Sequence, residues 1–307
     1  MTGRFAPSPT GELHLGNLRT ALVAWLAARS QGAGFVVRME DLDRVTASIE
    51  HERQQLADLA AIGLDWDGEV VRQSERFERY REAIATLERS GLVYPCYCTR
   101  REIRREIEAA ASAPHGRLPA DGYPGTCRDL TASERGEREA SGRPPALRLR
   151  TEHEEIEFVD RVAGVQRGAV DDVVLQRGDG VPAYNLAVVV DDAAQGIDQV
   201  VRGDDLLAST PRQVLLQRLL GLPTPEYLHV PLVLGPDGER LAKRHGAVSL
   251  SQLGARGITP ADVVTALARS LDLAPPAERV GPRDLVERFD PLALRHGPAT
   301  LAELMQG

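Results

Sequence analysis

The residues Arg4-Phe5-Ala6-Pro7-Ser8-Pro-Thr-Gly-Glu-Leu-His14-Leu-Gly16-Asn17 place a strand end, a Pro/Ser/Gly turn and a helix start next to one another. A helix N-terminus offers unpaired N–H groups and the positive end of the helix dipole, a combination that favours nucleotide phosphates. His14 and Asn17 are three apart, so they share one helix face and are placed to donate to the same triphosphate. Gly16, lacking a Cβ, would let a base or a phosphate approach the backbone closely. An ordinary helix start with an exposed histidine accounts for the same pattern.

A second constellation is Cys96-Tyr97-Cys98 with Tyr123-Pro-Gly-Thr-Cys127. Thiolates are soft ligands that suit Zn²⁺, and a structural zinc site normally has four ligands. The chain has only three cysteines, so the fourth ligand must be another residue, with Tyr123, His115 and Tyr97 as candidates. Small buried cysteines without a metal would read the same way.

These groups need a scaffold, and the sequence outlines one. Residues 3–6 read as a strand, 14–31 as a helix striped by Leu15, Leu18 and Leu22, and Gly34–Met39 as a second buried strand. Helices over about 47–59 and 75–90 complete a βαβ pattern, the mark of a parallel nucleotide-binding sheet. The chain divides by character into residues 1–95, an insertion at 96–165, a second sheet segment at 166–250 and a helical region at 251–307. Within the insertion, 100–110 reads as a helix with an apolar seam of Ile103 and Ile107, and Ala146–Arg150 as a short strand. The sheet pattern resumes with Asp172–Leu175 and the apolar run Leu186–Val190. A helix over 210–219 follows, then a strand at His229–Leu234 and a turn at Gly235–Gly238. A further helix opens at Pro260.

Composition narrows the class. The chain has 307 residues, 42 % apolar and 27 % charged, which fits a globular protein with a sizeable core. No apolar run is long enough to span a bilayer and no secretory signal is visible, so a cytoplasmic location away from membranes is expected; a monomer is expected as well, though no residue pattern fixes it. Three cysteines make no complete disulfide set, which suits a reducing compartment. A net charge of −8 argues against a generally basic coat for nucleic acid. An RNA partner would have to meet local patches such as Arg100, Arg101, Arg104 and Arg105, which read equally well as a solvated helix face.

Four blocks carry a family resemblance. The first is the Arg4–Asn17 segment, and the last is Glu239-Arg240-Leu241-Ala242-Lys243-Arg244-His245-Gly246. Between them lie Tyr184-Asn-Leu-Ala-Val-Val-Val-Asp-Asp192 and Val201-Arg202-Gly-Asp-Asp-Leu-Leu-Ala-Ser-Thr-Pro-Arg-Gln213. In this order they resemble the glutamyl and glutaminyl branch of class I aminoacyl-tRNA synthetases, whose HIGH and KMSKS motifs the outer two match. Arg240 stands where that branch's loop has its first Lys, and Ala242 where it has a Ser, so a charge is kept and a hydroxyl lost.

The resemblance implies a Rossmann-like parallel-sheet catalytic domain using ATP with Mg²⁺. It implies a glutamate site at Arg4, Phe5, Ala6, Pro7, Ser8, Glu40, Tyr184 and Arg202, where arginine forks suit the two carboxylates and Glu40 suits the ammonium. His14, Gly16, Asn17 and Lys243 would hold ATP, with His14, Asn17 and Lys243 stabilising charge during adenylate formation. Beyond the Lys243 loop the sequence has only residues 251–307, where full-length glutamyl-tRNA synthetases continue into an anticodon-binding domain. That shortness, with three Cys and a Tyr for zinc (Cys96, Cys98, Tyr123, Cys127), resembles the glutamyl-queuosine tRNA(Asp) synthetases. The implied reaction activates L-glutamate and transfers it to the queuosine base of tRNA(Asp). A shortened enzyme charging the tRNA terminal ribose and a non-catalytic RNA-binding relative are the competing readings.

Overall fold

The computed structural model describes residues 1–111, 122–241, 249–294 and 297–305. Strand β1 (Thr2–Phe5) leads through the Pro/Gly loop to helix α1 (Leu15–Arg29), followed by β2 (Gly34–Met39), α2 (Ile49–Ala61), β3 (Val71–Arg72) and α3 (Phe77–Arg89). Next come β4 (Val93–Cys96), α4 (Arg100–Ala111), α5 (Ala132–Ala140), β5 (Ala146–Leu149), β6 (Glu155–Asp160), β7 (Gly164–Ala169) and β8 (Val174–Gln176). The second half contributes α6 (Tyr184–Ala194), β9 (Gln199–Gly203), α7 (Thr210–Leu220), β10 (Glu226–Val230) and β11 (Val233–Leu234). Helices α8 (Leu250–Gly254), α9 (Pro260–Ser270) and α10 (Pro282–Leu285), strand β12 (Ala299–Thr300) and helix α11 (Leu301–Met305) complete the described chain.

The main sheet has the order β3-β2-β1-β9-β10-β6-β7, parallel throughout except for the β6–β7 hairpin at its edge. Strand order runs outward from β1 in both directions, so the crevice at the carboxyl ends of β1 and β9 is a topological switch point, where α/β sheets bind ligands. β4, β5 and β8 form a separate antiparallel sheet, although β6 and β7, which lie between β5 and β8 in sequence, join the main one.

α1 is the central helix. Its Leu- and Ala-rich sequence has no proline and no β-branched run, and it is buried around most of its circumference, from Leu15 to Ala28. The Leu15/Leu18/Leu22 stripe is therefore only part of a helix enclosed by the sheet on one side and by α9 and α10 on another. Arg19 is fully buried and donates to the Pro231 carbonyl (2.6 Å) and to the Ser270 hydroxyl (3.0 Å) and carbonyl (3.2 Å). One side chain thereby ties α1 to the segment after β10 and to the end of α9.

One expected strand is a helix. Leu186–Val190 lies inside α6, not in the sheet, and the second-half strand is β9, which carries Arg202 within it. A five-residue apolar run does not distinguish a buried strand from a buried helix. Here Leu186, Ala187, Val188 and Val189 pack against α3 and α7 while Asp191 and Asp192 continue the helix inward. The other expected helices fall within a few residues of expectation, including the Pro211 and Pro260 helix starts. The Asp172–Leu175 strand (β8), however, joins the small sheet and not the main one, and α5, β6 and β7 had no counterpart in the sequence reading. Among the described residues, no helix is long and apolar enough to cross a membrane.

Candidate active site

A cleft of about 640 Å³ opens at the carboxyl ends of β1, β2, β9 and β10, room for a nucleotide beside an amino acid. It is lined by Arg4, Phe5, Ala6, Pro7, Ser8, His14, Gly16, Asn17, Glu40, Tyr184 and Arg202, so residues 184–202 and residues 4–40 meet at one place. Lys243 and His115 lie outside the described residues. The residues on either side of the Lys243 segment are anchored at the cleft. Leu241 lines it and is buried, and Ser249 forms a β-bridge with His14.

His14 caps α1. Its Nδ1 accepts from the N–H groups of Gly16 (3.1 Å) and Asn17 (3.3 Å), while the Asn17 side-chain oxygen accepts from the His14 N–H (3.2 Å). With Nδ1 accepting, the ring proton belongs on Nε2, so the imidazole Nε2–H and the Asn17 amide NH₂ are the donors left over. Burial and then the nearby Arg240 guanidinium push His14 down to about 4, so the ring is neutral at neutral pH. Gly16 does something other than expected. A Cβ there would lie 3.0 Å from His14 Cε1 and Nδ1, so the missing side chain makes room for the His14 ring. Arg240 pairs with Asp205, and both line the cleft.

The wall of the cleft formed by β1, β2 and α6 is built on buried charges. Arg4 Nη1 donates to the Val201 carbonyl (3.0 Å), and its Nε lies 3.4 Å from Asp192 Oδ1. The fully buried Arg38 donates to the same Asp192 oxygen (2.7 Å), to Gln195 (2.9 Å) and to Glu40 (3.3 Å). Burial would raise the Asp192 carboxyl, but Arg38 and Arg4 outweigh it and hold it below its ordinary range. For Glu40 the balance falls the other way. Burial outweighs Arg38 and Arg4 and raises it, as suits a carboxylate with capacity for one more cation. Tyr184 opens α6 at the cleft wall, partly exposed. The loop between β1 and α1 is held by Gln55, which donates to the Ser8 (3.0 Å) and Gly11 (2.7 Å) carbonyls.

Arg202 is buried on β9, with Nε donating to His229 Nε2 (3.0 Å), Nη1 to Gln213 (2.8 Å) and Nη2 to Thr210 (2.8 Å). Behind it, His229 Nδ1 lies 2.6 Å from Asp160. Asp160, His229, Asp192 and Arg38 were not singled out from sequence. The only traces were an acidic pair ending the Tyr184–Asp192 block and a histidine opening an apolar strand.

The cysteines converge. The Sγ atoms of Cys96, Cys98 and Cys127 lie within 4.8 Å of one another, and the Tyr123 hydroxyl is 3.3 Å from Cys96 Sγ and 3.8 Å from Cys98 Sγ. Such spacings fit donors around a single tetrahedral ion. The Tyr97 hydroxyl bonds to Glu139 (3.0 Å), whereas the Tyr123 hydroxyl is the one in contact with the cysteine sulfurs. Hydrogen bonding from Cys98 outweighs burial and, with Tyr123 and Arg148, lowers Cys96, while Cys98 is raised in turn. The cluster is thus predisposed to hold one thiolate. It also seats α4, whose Ile103 packs against it while Arg100, Arg101, Arg104 and Arg105 point to solvent with no ion pair among the described residues.

Residues 1–278 match the family described as tRNA synthetases class I (E and Q), catalytic domain. The chain belongs to that family. It is 60 % identical to the glutamyl-Q tRNA(Asp) synthetase of Nocardia farcinica, covering 98 % of this chain and 93 % of that one. It is 52 % identical to the enzyme of the same name from Symbiobacterium thermophilum, over 94 % and 92 % of the two chains. The crystal structure of a glutamate tRNA ligase from Elizabethkingia meningosepticum in complex with its amino acid superposes with a TM-score of 0.84 at 27 % identity, covering 100 % of this chain and 68 % of that one. Class I synthetases work with ATP and Mg²⁺, so the family accounts for a nucleotide-binding cleft at this switch point.

Proposed function

We propose that this synthetase activates L-glutamate as glutamyl-adenylate and transfers it to the queuosine base of tRNA(Asp). The observation that carries the activation step is the pairing of two buried arginines, Arg4 and Arg202, with Glu40 in one cleft beside the capped start of α1. Arginine forks there suit the two carboxylates of glutamate, and Glu40 suits its ammonium. Attack of the α-carboxylate on the α-phosphate of ATP needs positioning and charge stabilisation rather than a covalent enzyme group. The neutral His14 Nε2–H and the Asn17 amide would donate to phosphate oxygens, and Lys243 would place its charge over the departing pyrophosphate. The queuosine acceptor is supported by identity of 60 % and 52 % to relatives of that name over nearly their whole lengths. The exposed arginines of α4 offer a local contact for RNA phosphates on an acidic chain.

Transfer of labelled glutamate tests this reading. It should label tRNA that contains queuosine and not tRNA lacking it, and removing the terminal adenosine should make no difference. Label on unmodified tRNA that disappears with the terminal adenosine would instead favour charging of the terminal ribose. Pyrophosphate exchange dependent on glutamate, without any tRNA, is expected from the same preparation.

Cys96, Cys98, Cys127 and Tyr123 would together hold one structural Zn²⁺, whose contribution when bound is to staple the knuckle that carries α4. Elemental analysis should find about one zinc per chain, as for a closed structural site. Cys127→Ser should lose most of it and make residues 96–140 more susceptible to proteolysis. Full zinc retention in that variant would exclude Cys127 as a ligand.

A further inference from the structure

Behind Arg202 runs a buried hydrogen-bonded chain that the activation chemistry does not itself use. Asp160, at the end of β6, is pinned by the N–H groups of Val162 (3.0 Å) and Ala163 (2.8 Å) on Oδ1, while Oδ2 faces His229 Nδ1 at 2.6 Å. Both side chains are fully buried. An ionised carboxylate only accepts, so the proton between them sits on His229 Nδ1, and Nε2 is left bare. That bare nitrogen receives the Arg202 Nε–H at 3.0 Å. Gln213 and Thr210 take one N–H from each Nη, and the Tyr227 ring lies against the guanidinium at 5.4 Å. The donors left are one N–H on each Nη, the pair a carboxylate accepts in parallel.

We propose that Asp160 and His229 are positioning residues of the amino-acid site, which act by fixing the histidine tautomer that lets Arg202 aim its two remaining N–H groups at a substrate carboxylate. The proposal rests on the glutamate reading above and adds a mechanism for its arginine. In the other tautomer, Nε2–H would meet Arg202 Nε–H donor to donor. Arg202 would have to turn off its axis, and the fork would no longer match the carboxylate. Neither residue touches the substrate, so the effect belongs to glutamate recognition and not to ATP binding.

The decisive variant is Asp160→Asn in the full chain. Asparagine keeps an oxygen for the Val162 and Ala163 N–H groups but presents an NH₂ to His229 Nδ1, driving the ring proton to Nε2. With pyrophosphate exchange as the assay, KM for glutamate should rise about ten- to a hundredfold, the scale of one hydrogen bond to a charged group. KM for ATP should stay close to wild type. His229→Gln can still offer an oxygen to Arg202 and should recover much of the glutamate affinity, whereas His229→Leu should behave like Asp160→Asn. The proposal is overturned if Asp160→Asn keeps the wild-type KM for glutamate, if KM for ATP rises in step, or if His229→Gln is as impaired as His229→Leu. A wild-type chain that exchanges with no glutamate at all would overturn the amino-acid reading along with it.

Discussion

Asp192→Ala should cost the protein about 3–5 kcal/mol of stability, because it strands buried cations without a counter-charge. Arg38 is fully buried and Arg4 nearly so, and both point at the same Asp192 oxygen. Arg38 retains Gln195 and Glu40, but Glu40 is also the carboxylate we propose for the substrate ammonium. Urea unfolding should show the loss directly. Asp192→Asn, which keeps an acceptor but not the charge, should fall between. The pH dependence has a definite sign. The folded Asp192 carboxyl is held below its ordinary range, so its contribution is complete above about pH 4, the unfolded value, and disappears as the pH falls beneath it. Over that acid range, the gap between wild type and Asp192→Ala should narrow. A gap that stays constant would show that Asp192 acts as packing and not as charge.

Arg202→Ala should lower kcat/KM for glutamate by roughly thirtyfold to several thousandfold, corresponding to about 2–5 kcal/mol for truncating one partner of a buried charge pair. Three neighbours already hold the guanidinium, so little reorganisation is needed when a carboxylate arrives. Most of the effect should appear in KM, with KM for ATP nearly unchanged. Arg202→Lys should recover only part of it, since a point charge cannot reproduce the fork or the Gln213 and Thr210 bonds together. Equal turnover by wild type and Arg202→Ala would remove Arg202 from the glutamate site.

Much of the framework was legible from residues 1–40, because strand, turn and helix there follow in short range and each has its own local signal. His14 and Asn17 stood out for the same reason, as phosphate donors on one helix face, but neither their reciprocal capping of α1 nor the purpose of Gly16 was visible. Its space is filled by a ring two residues away, a contact that no spacing rule anticipates. The run Leu186–Val190 failed because burial on all sides erases the periodicity that separates helix from strand. Asp192, Asp160 and His229 were invisible for a different reason. Asp192 meets Arg4 across 188 positions and His229 meets Asp160 across 69, so only the finished sheet order brings them together. The cysteines declared a metal-like cluster by type alone. Which tyrosine stands by the sulfurs was not legible from spacing: Tyr123 does, while the Tyr97 hydroxyl bonds to Glu139.

Arg19 has a consequence for how the chain comes into being. The ribosome releases α1 early, yet the carbonyls and hydroxyl that receive its guanidinium belong to Pro231 and Ser270. β1 likewise waits for β9 to become its second neighbour in the sheet. Until translation has passed Gly203 the nascent N-terminal half carries a strand with one open edge, and until it has passed Ser270 a cation that must stay in water. Contacts of such sequence separation are slow to form and leave apolar surface uncovered meanwhile. The catalytic cleft is therefore a late product of synthesis. The emerging half is a natural client for whatever shields nascent chains, and truncated transcripts of this gene should yield no partly working enzyme.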